Sequence, residues 1–185
     1  MKIIESVNSG YAITISTLDP QSLVDLLNTP SVRHGQDPSA DELERATGFI
    51  GTRQDLVEAG DIGRLLRANL SGELETGDLL QEINEYLRSH QATLEIIDGR
   101  LAISSNGSPI IQLYLLVADM IASGIWHRVR KCLGCDCIFY DASRNGKRVW
   151  CSMEICGNRA KVGRWRRKHG AVCTCGDVCT CGRRK

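Results

Sequence analysis

The spacing of apolar residues changes several times along the chain, and each change marks an element. "YAITIST" (Tyr11–Thr17) alternates and is rich in β-branched residues, which predicts a strand. From Leu18 the period lengthens to that of a helix. Asp19 can cap it, Pro20 suits its first position, and Leu23, Val24 and Leu27 form one stripe. "PSVRHGQDP" reads as loop. Ser39 and Glu42 fit a capping box that opens a helix to about Ile50. Gly51-Thr52 breaks it, and Thr52 can cap a short helix through Ala59. Two more helices are predicted over 61–71 and 77–89, the latter with Leu79, Leu80, Ile83 and Leu87 on one face.

"TLEIIDGRLAIS" breaks the helical run. Asp98-Gly99 between two β-prone arms predicts a hairpin with a tight type I′ turn, with Leu94 and Ile96 facing Leu101 and Ile103. A lone hairpin is barely stable in water, so this one is expected to lie on the helices. "SNGSP" is a turn. Residues 109–131 then read as one long helix with Ile111, Leu115, Ala118, Ile121, Ala122 and Ile125 inward, leading directly to Cys132. The pattern predicts an α+β fold, mainly α. A helical N-terminal domain over 1–131 can bury a core without a metal's help, so residues 1–130 are expected to fold alone.

Charge changes this picture. Residues 1–124 carry 8 Lys/Arg against 18 Asp/Glu, a net of −10, while residues 125–185 carry 15 against 4, a net of +11. Such asymmetry points to a basic part that meets a polyanion, against the plainer reading of a solvated charged surface. "MKIIESVNSG" has no apolar core of leader length, and "PIIQLYLLVADMIASGIW" is interrupted by Gln112 and Asp119. A cytoplasmic protein with no membrane partner is therefore expected. Its thiols would stay reduced, and paired cysteines there more often bind metal than each other.

All nine cysteines lie at or after Cys132. Cys132-x2-Cys135 and Cys151-x4-Cys156 make two close pairs, enough for a tetrahedral Zn2+ with no site left for water, which is structural and not catalytic. The competing reading is buried or redox thiols. Cys137 can compete with Cys135 as a ligand; the Cys132–Cys135 turn favours Cys135, leaving Cys137 as a small apolar residue in a strand. "DCIFYDASRNGKRVW" between the pairs looks like a zinc-bound hairpin turning at Asn145-Gly146.

Cys132-x2-Cys135, Phe139-x-Asp141-x-Ser143-Arg144-Asn145, Arg148-x-Trp150-Cys151-Ser152-Met153 and Cys156-Gly157-Asn158-Arg159-Ala160-Lys161 closely resemble the CGNR zinc finger over about 40 residues. The resemblance implies a treble-clef-like finger over 132–170. It also implies a preceding ABATE domain, which residues 1–131 resemble more loosely, chiefly at "LVDLLNT", and a role as a stress-induced transcription regulator. Two features depart from the family. Cys137 stands where an aromatic residue is frequent, and the Cys-rich tail, 171–185, has no counterpart.

The basic stretch reads as a helix from about Cys156 to His169. Asn158, Val162 and Trp165 fall on one stripe, expected to pack on the hairpin. Arg159, Lys161, Arg164, Arg166, Arg167 and Lys168 surround it, and the hairpin tip adds Arg144, Asn145, Lys147 and Arg148. So many cations predict phosphate contacts with DNA. Asn158 and Arg159 are candidates to read bases, although Asn158 can equally satisfy backbone near the metal, and Arg148 or Arg159 can brace the thiolates or pair with Asp141. In the tail, Cys173-x-Cys175-x3-Cys179-x-Cys181 offers four thiols for a second metal or is simply a thiol-bearing tail. Together these features predict a DNA-binding transcriptional regulator that is not an enzyme. Its N-terminal domain would bind a small molecule or protein, or form a homodimer. The rivals are an RNA-binding protein and a zinc-dependent protein-interaction module.

Overall fold

The structure, a computed structural model, describes residues 6–7, 10–13, 18–97, 100–105 and 108–168. Residues 14–17 of the expected first strand, the Asp98-Gly99 turn, Asn106-Gly107, the side chain of Lys168, His169 and the tail with Cys173, Cys175, Cys179 and Cys181 lie outside them.

Local signals place the first helices. In α1 (Pro20–Asn28) the Asp19 carboxylate accepts from the Ser22 N–H at 2.8 Å, and Leu23, Val24, Leu26 and Leu27 are buried. "PSVR" winds into one helical turn, α2 (Pro30–Arg33), where a loop was expected. Ser39 and Glu42 form the capping box of α3 (Ala40–Thr47). Thr52 and Asp55 form another at α4 (Arg53–Ser71), which runs on where two helices were expected. Gly60 does not break it. A Cβ there would press on the Asp37 carboxylate and lie 3.0 Å from the Asp37 Cα, so the glycine admits the chain segment before α3. Ala at position 60 would favour the helix by about 1 kcal/mol. We nevertheless expect Gly60→Ala to destabilise the protein by about 1–3 kcal/mol through overpacking, checked by denaturant unfolding. A more stable variant would disprove the close approach.

α5 (Thr76–Ser89) buries Leu79 and Ile83. The Tyr86 ring stacks on Tyr114 with centroids 3.6 Å apart, and its hydroxyl donates to buried Glu58 at 2.6 Å. The hairpin forms with the expected facing pairs, Leu94 with Ile103 and Ile96 with Leu101, between β3 (Thr93–Ile97) and β4 (Arg100–Ser105). Its support differs from expectation. β1 (Ser6–Val7) and β2 (Gly10–Ile13) extend it to a four-stranded antiparallel sheet in the order β1-β2-β4-β3. Ile103 packs on the helices, against Ile111 and Leu115, while Leu94 and Ile96 are exposed.

α6 (Ile111–Ala122) is buried on nearly every side in its first two turns and ends nine residues before the expected helix does. Gly124, at φ 71°, takes the left-handed conformation that closes a helix. The Ile125 N–H returns to Met120 and the Gly124 N–H to Ile121, which satisfies the last carbonyls. The chain then passes through a tight turn (Trp126–Arg128) into β5 (Val129–Lys131), which pairs with β6 (Ile138–Tyr140).

This second hairpin joins the two parts of the molecule. Val129 and Ile138 are buried in the same core as Leu27, Ile62 and Leu113. Asn28 at the end of α1 donates to the Ile138 carbonyl at 2.7 Å, and the Ile138 N–H donates back to Asn28 Oδ1 at 2.9 Å. The boundary expected after residue 131 falls inside this hairpin. Among the described residues, no helix is long and apolar enough to cross a membrane.

Candidate metal centre and basic helix

The expected hairpin across residues 136–150 is not the one that carries the knuckle. β6 pairs backwards with β5, and the turn between them is Cys132–Cys137 itself, closed by the Cys132 N–H on the Cys137 carbonyl at 2.9 Å. Residues 141–150 loop round without a strand. That loop is tied by Asp141, which is fully buried. Its carboxylate accepts from the Ser143 N–H at 3.0 Å and the Arg148 N–H at 2.8 Å. Hydrogen bonding from Ser143, against the cost of burial, holds this carboxyl below its usual range. Arg128 adds bonds to the Asp141 and Ser143 carbonyls, at 3.0 and 2.9 Å.

The loop returns the chain at Cys151. Ser152 then caps a wide turn (Met153–Gly157), accepting from the Ile155 N–H at 3.2 Å, and this turn presents Cys156 at the foot of α7 (Asn158–Lys168). Hairpin, loop and helix start thus bring the sulfurs of Cys132, Cys135, Cys151 and Cys156 within 4.8 Å of one another. Zinc–sulfur bonds of about 2.3 Å set tetrahedral sulfur–sulfur edges of about 3.8 Å. The edges Cys135–Cys151, Cys135–Cys156 and Cys151–Cys156 measure 3.5, 3.7 and 3.8 Å. The four sulfurs fit Zn2+.

Their electrostatics call for a cation as well. Burial pushes the Cys132 thiol up, but the N–H groups of Cys151 and Gly134, each 3.4 Å from its sulfur, outweigh this and bring it down to about 6. Burial and the neighbouring thiol of Cys135 push Cys151 and Cys156 up. Four thiolates at this spacing require a divalent ion to ionise together. Cys137 stands half-buried before β6, outside the cluster, and burial raises its thiol too.

Arg148 is exposed, yet its guanidinium braces the centre. It donates to the Trp150 carbonyl at 2.7 Å and to the Cys151 carbonyl, and lies 5.2 Å from the centre of the Phe139 ring. The guanidinium bonds these carbonyls, and the Asp141 carboxylate is met instead by the Arg148 backbone N–H. Arg144, Asn145 and Lys147 are exposed around the loop. On α7, Asn158, Arg159, Lys161, Arg164, Arg166 and Arg167 are exposed.

The stripe of Asn158, Val162 and Trp165 lies opposite to expectation. Val162 is 47% and Trp165 62% exposed, so the stripe faces outward. Half-buried Ala160 and Gly163 take the inner side, lining a groove with Trp150 and Leu133. These small residues leave the groove open on that side, which apolarity alone does not reveal. Sequence reasoning also passed over Asn28 and Arg128. Both hold the finger through backbone groups far away in sequence, and no local spacing marks such a partner.

No curated protein matches the chain. The segment that holds the four sulfurs, the Asp141 loop and α7, residues 128–169, matches the family model of the CGNR zinc finger.

Proposed function

We propose that the protein is a DNA-binding transcriptional regulator whose zinc centre holds α7 against nucleic acid. One observation carries this reading. Arg159, Lys161, Arg164, Arg166 and Arg167 lie exposed within nine residues of one helix, and among the described residues none has a carboxylate within ion-pair distance. Like charges at this density repel one another unless an anion draws near, and phosphates answer that need by releasing their counterions. The outward stripe then has a use. Asn158 and Val162 face the duplex between cationic flanks, so Asn158 reads a base edge and Val162 supplies apolar contact. The helical part would act as an ABATE-like sensing or dimerising domain of a cytoplasmic, stress-responsive regulator without enzymatic activity.

The test is affinity against salt on a selected and a random duplex. Arg166→Ala and Arg167→Ala are expected to weaken both duplexes alike and to lower the salt slope by about one each. Arg159→Ala at the helix start is expected to cost about 1–3 kcal/mol on the selected site and much less on the random one. If no basic substitution moves affinity or slope, the protein-interaction reading replaces this one. The exposed Trp165 ring favours RNA as the second reading, because single-stranded bases stack on such rings. Tighter binding of single-stranded RNA than of any duplex, lost in Trp165→Ala, would establish it.

A further inference from the structure

A cleft of about 290 Å3 opens where α4 meets the zinc hairpin, lined by Arg33, Arg64, Arg67 and Lys131 beside Ile138. Its composition runs against its surroundings. The first 124 residues have a net charge of −10, yet three of their 8 basic side chains converge here. They come from separate places: Arg33 from the end of α2, Arg64 and Arg67 from α4, and Lys131 from the end of β5.

Two of the four are neutralised outside the cleft. Arg64 pairs with Asp37 at 3.0 Å and Asp61 at 2.6 Å, and Lys131 with Asp136 at 3.5 Å; none of these carboxylates lines the cleft. Arg33 and Arg67 have no ion pair among the described residues. Glu73 is the one acidic residue in the lining, and it too makes no ion pair among the described residues. Arg67 spends one nitrogen on the Leu27 carbonyl, while its Nε is sealed from solvent without an acceptor. Burial, and after it repulsion from Arg33, makes Arg67 easier to deprotonate than an ordinary arginine. A guanidinium so placed is costly until a counter-ion arrives.

We propose that this cleft binds a small oxyanion, the phosphate or carboxylate group of a metabolite-sized ligand, between Arg33 and Arg67. Planar guanidinium groups match such oxygens in pairs, and the concave shape and small volume suit a compact ligand better than a nucleic-acid strand. The ligand would join α2 and α4 to Lys131, the residue before the zinc ligand Cys132. It would therefore be the effector of the sensing domain, a consequence that rests on the DNA reading, whereas the binding itself does not.

The probes are inorganic phosphate and, separately, citrate, titrated calorimetrically into the zinc-loaded full chain at constant ionic strength. One saturable site per chain is expected for at least one probe, with a raised melting temperature. Arg33→Gln is expected to weaken that binding at least tenfold; its guanidinium makes no hydrogen bond among the described residues, so the fold should survive. Arg67→Met provides a second variant, with its fold checked by melting. Arg166→Ala on α7 is expected to bind the probe as the wild type does. The proposal is overturned if neither probe binds, or if Arg166→Ala loses binding while Arg33→Gln keeps it. It is also overturned if Arg33→Gln leaves probe binding intact and weakens duplex DNA instead, since the cleft would then belong to the nucleic-acid surface. Probe binding that depends on Arg33 in a protein that binds no duplex would uphold the cleft and sink the DNA reading alone.

Discussion

Cys151→Ser is expected to lower the zinc content by one ion per chain and to unfold the Cys132–Cys137 turn, the Asp141 loop and α7. The cause is the smallness of the module. Residues 132–168 number fewer than about 40, below which a chain seldom folds without a metal, disulfide or partner. Its own buried apolar group is Phe139 with Cys132 and Cys156. Structural zinc supplies an apparent ~10–16 kcal/mol in peptides of this kind, more than such a cluster can replace. Cys151 also gives the centre its backbone N–H, bonded to the Cys132 sulfur, so a displaced residue 151 removes a ligand and a hydrogen bond together. Metal content by mass spectrometry and loss of helical circular dichroism measure the effect. Full zinc content in the variant would refute the ligand set. Cys137→Ser is expected to keep the metal, because that thiol stands outside the cluster.

The second large effect concerns where the chain can be cut. A fragment of residues 1–130 was expected from the sequence to fold alone. The structure predicts that it melts far below a fragment of residues 1–142, both measured with chelator and reductant present. Cutting after Arg130 removes Ile138, which is 2% exposed, from the main core. Loss of a buried aliphatic side chain costs about 2–5 kcal/mol, and the Asn28 amide, left without both of its partners, adds about 1–3 kcal/mol. Domain stabilities are only about 5–15 kcal/mol. Equal melting temperatures for the two fragments would show that β6 is no part of the core.

Signals that act within one turn of chain were legible in the sequence. Asp19, Ser39 and Thr52 cap the helices they were expected to cap, because a cap requires only its own side chain and the next N–H groups. The gathering of Cys132, Cys135, Cys151 and Cys156 was legible for a similar reason, since a CxxC turn fixes two sulfurs locally. What failed depended on distant partners. Separate helices were expected to end at Ala59 and to begin at residue 61, yet Gly60 lies inside one helix, where its missing side chain makes room for Asp37. Ile138 looked like an arm of a hairpin with the residues after Asn145, yet it pairs with Lys131 and is gripped by Asn28 across 110 positions. Val162 and Trp165 looked buried because they are apolar, whereas they face outward and it is Ala160 and Gly163 that line the groove on the finger side of α7.

The hairpin that Asn28 grips has a thermodynamic consequence. β5 and β6 end in the zinc turn and are built into the helical core, so metal binding and core unfolding draw on one equilibrium. An ion that binds only the folded chain adds RT ln(1 + [Zn]/Kd) to its stability, about 2.7 kcal/mol at a hundredfold excess over Kd. The melting temperature of helices that never touch the metal then rises with the logarithm of free zinc. A cell that lowers its free zinc would loosen the body of this protein along with its finger.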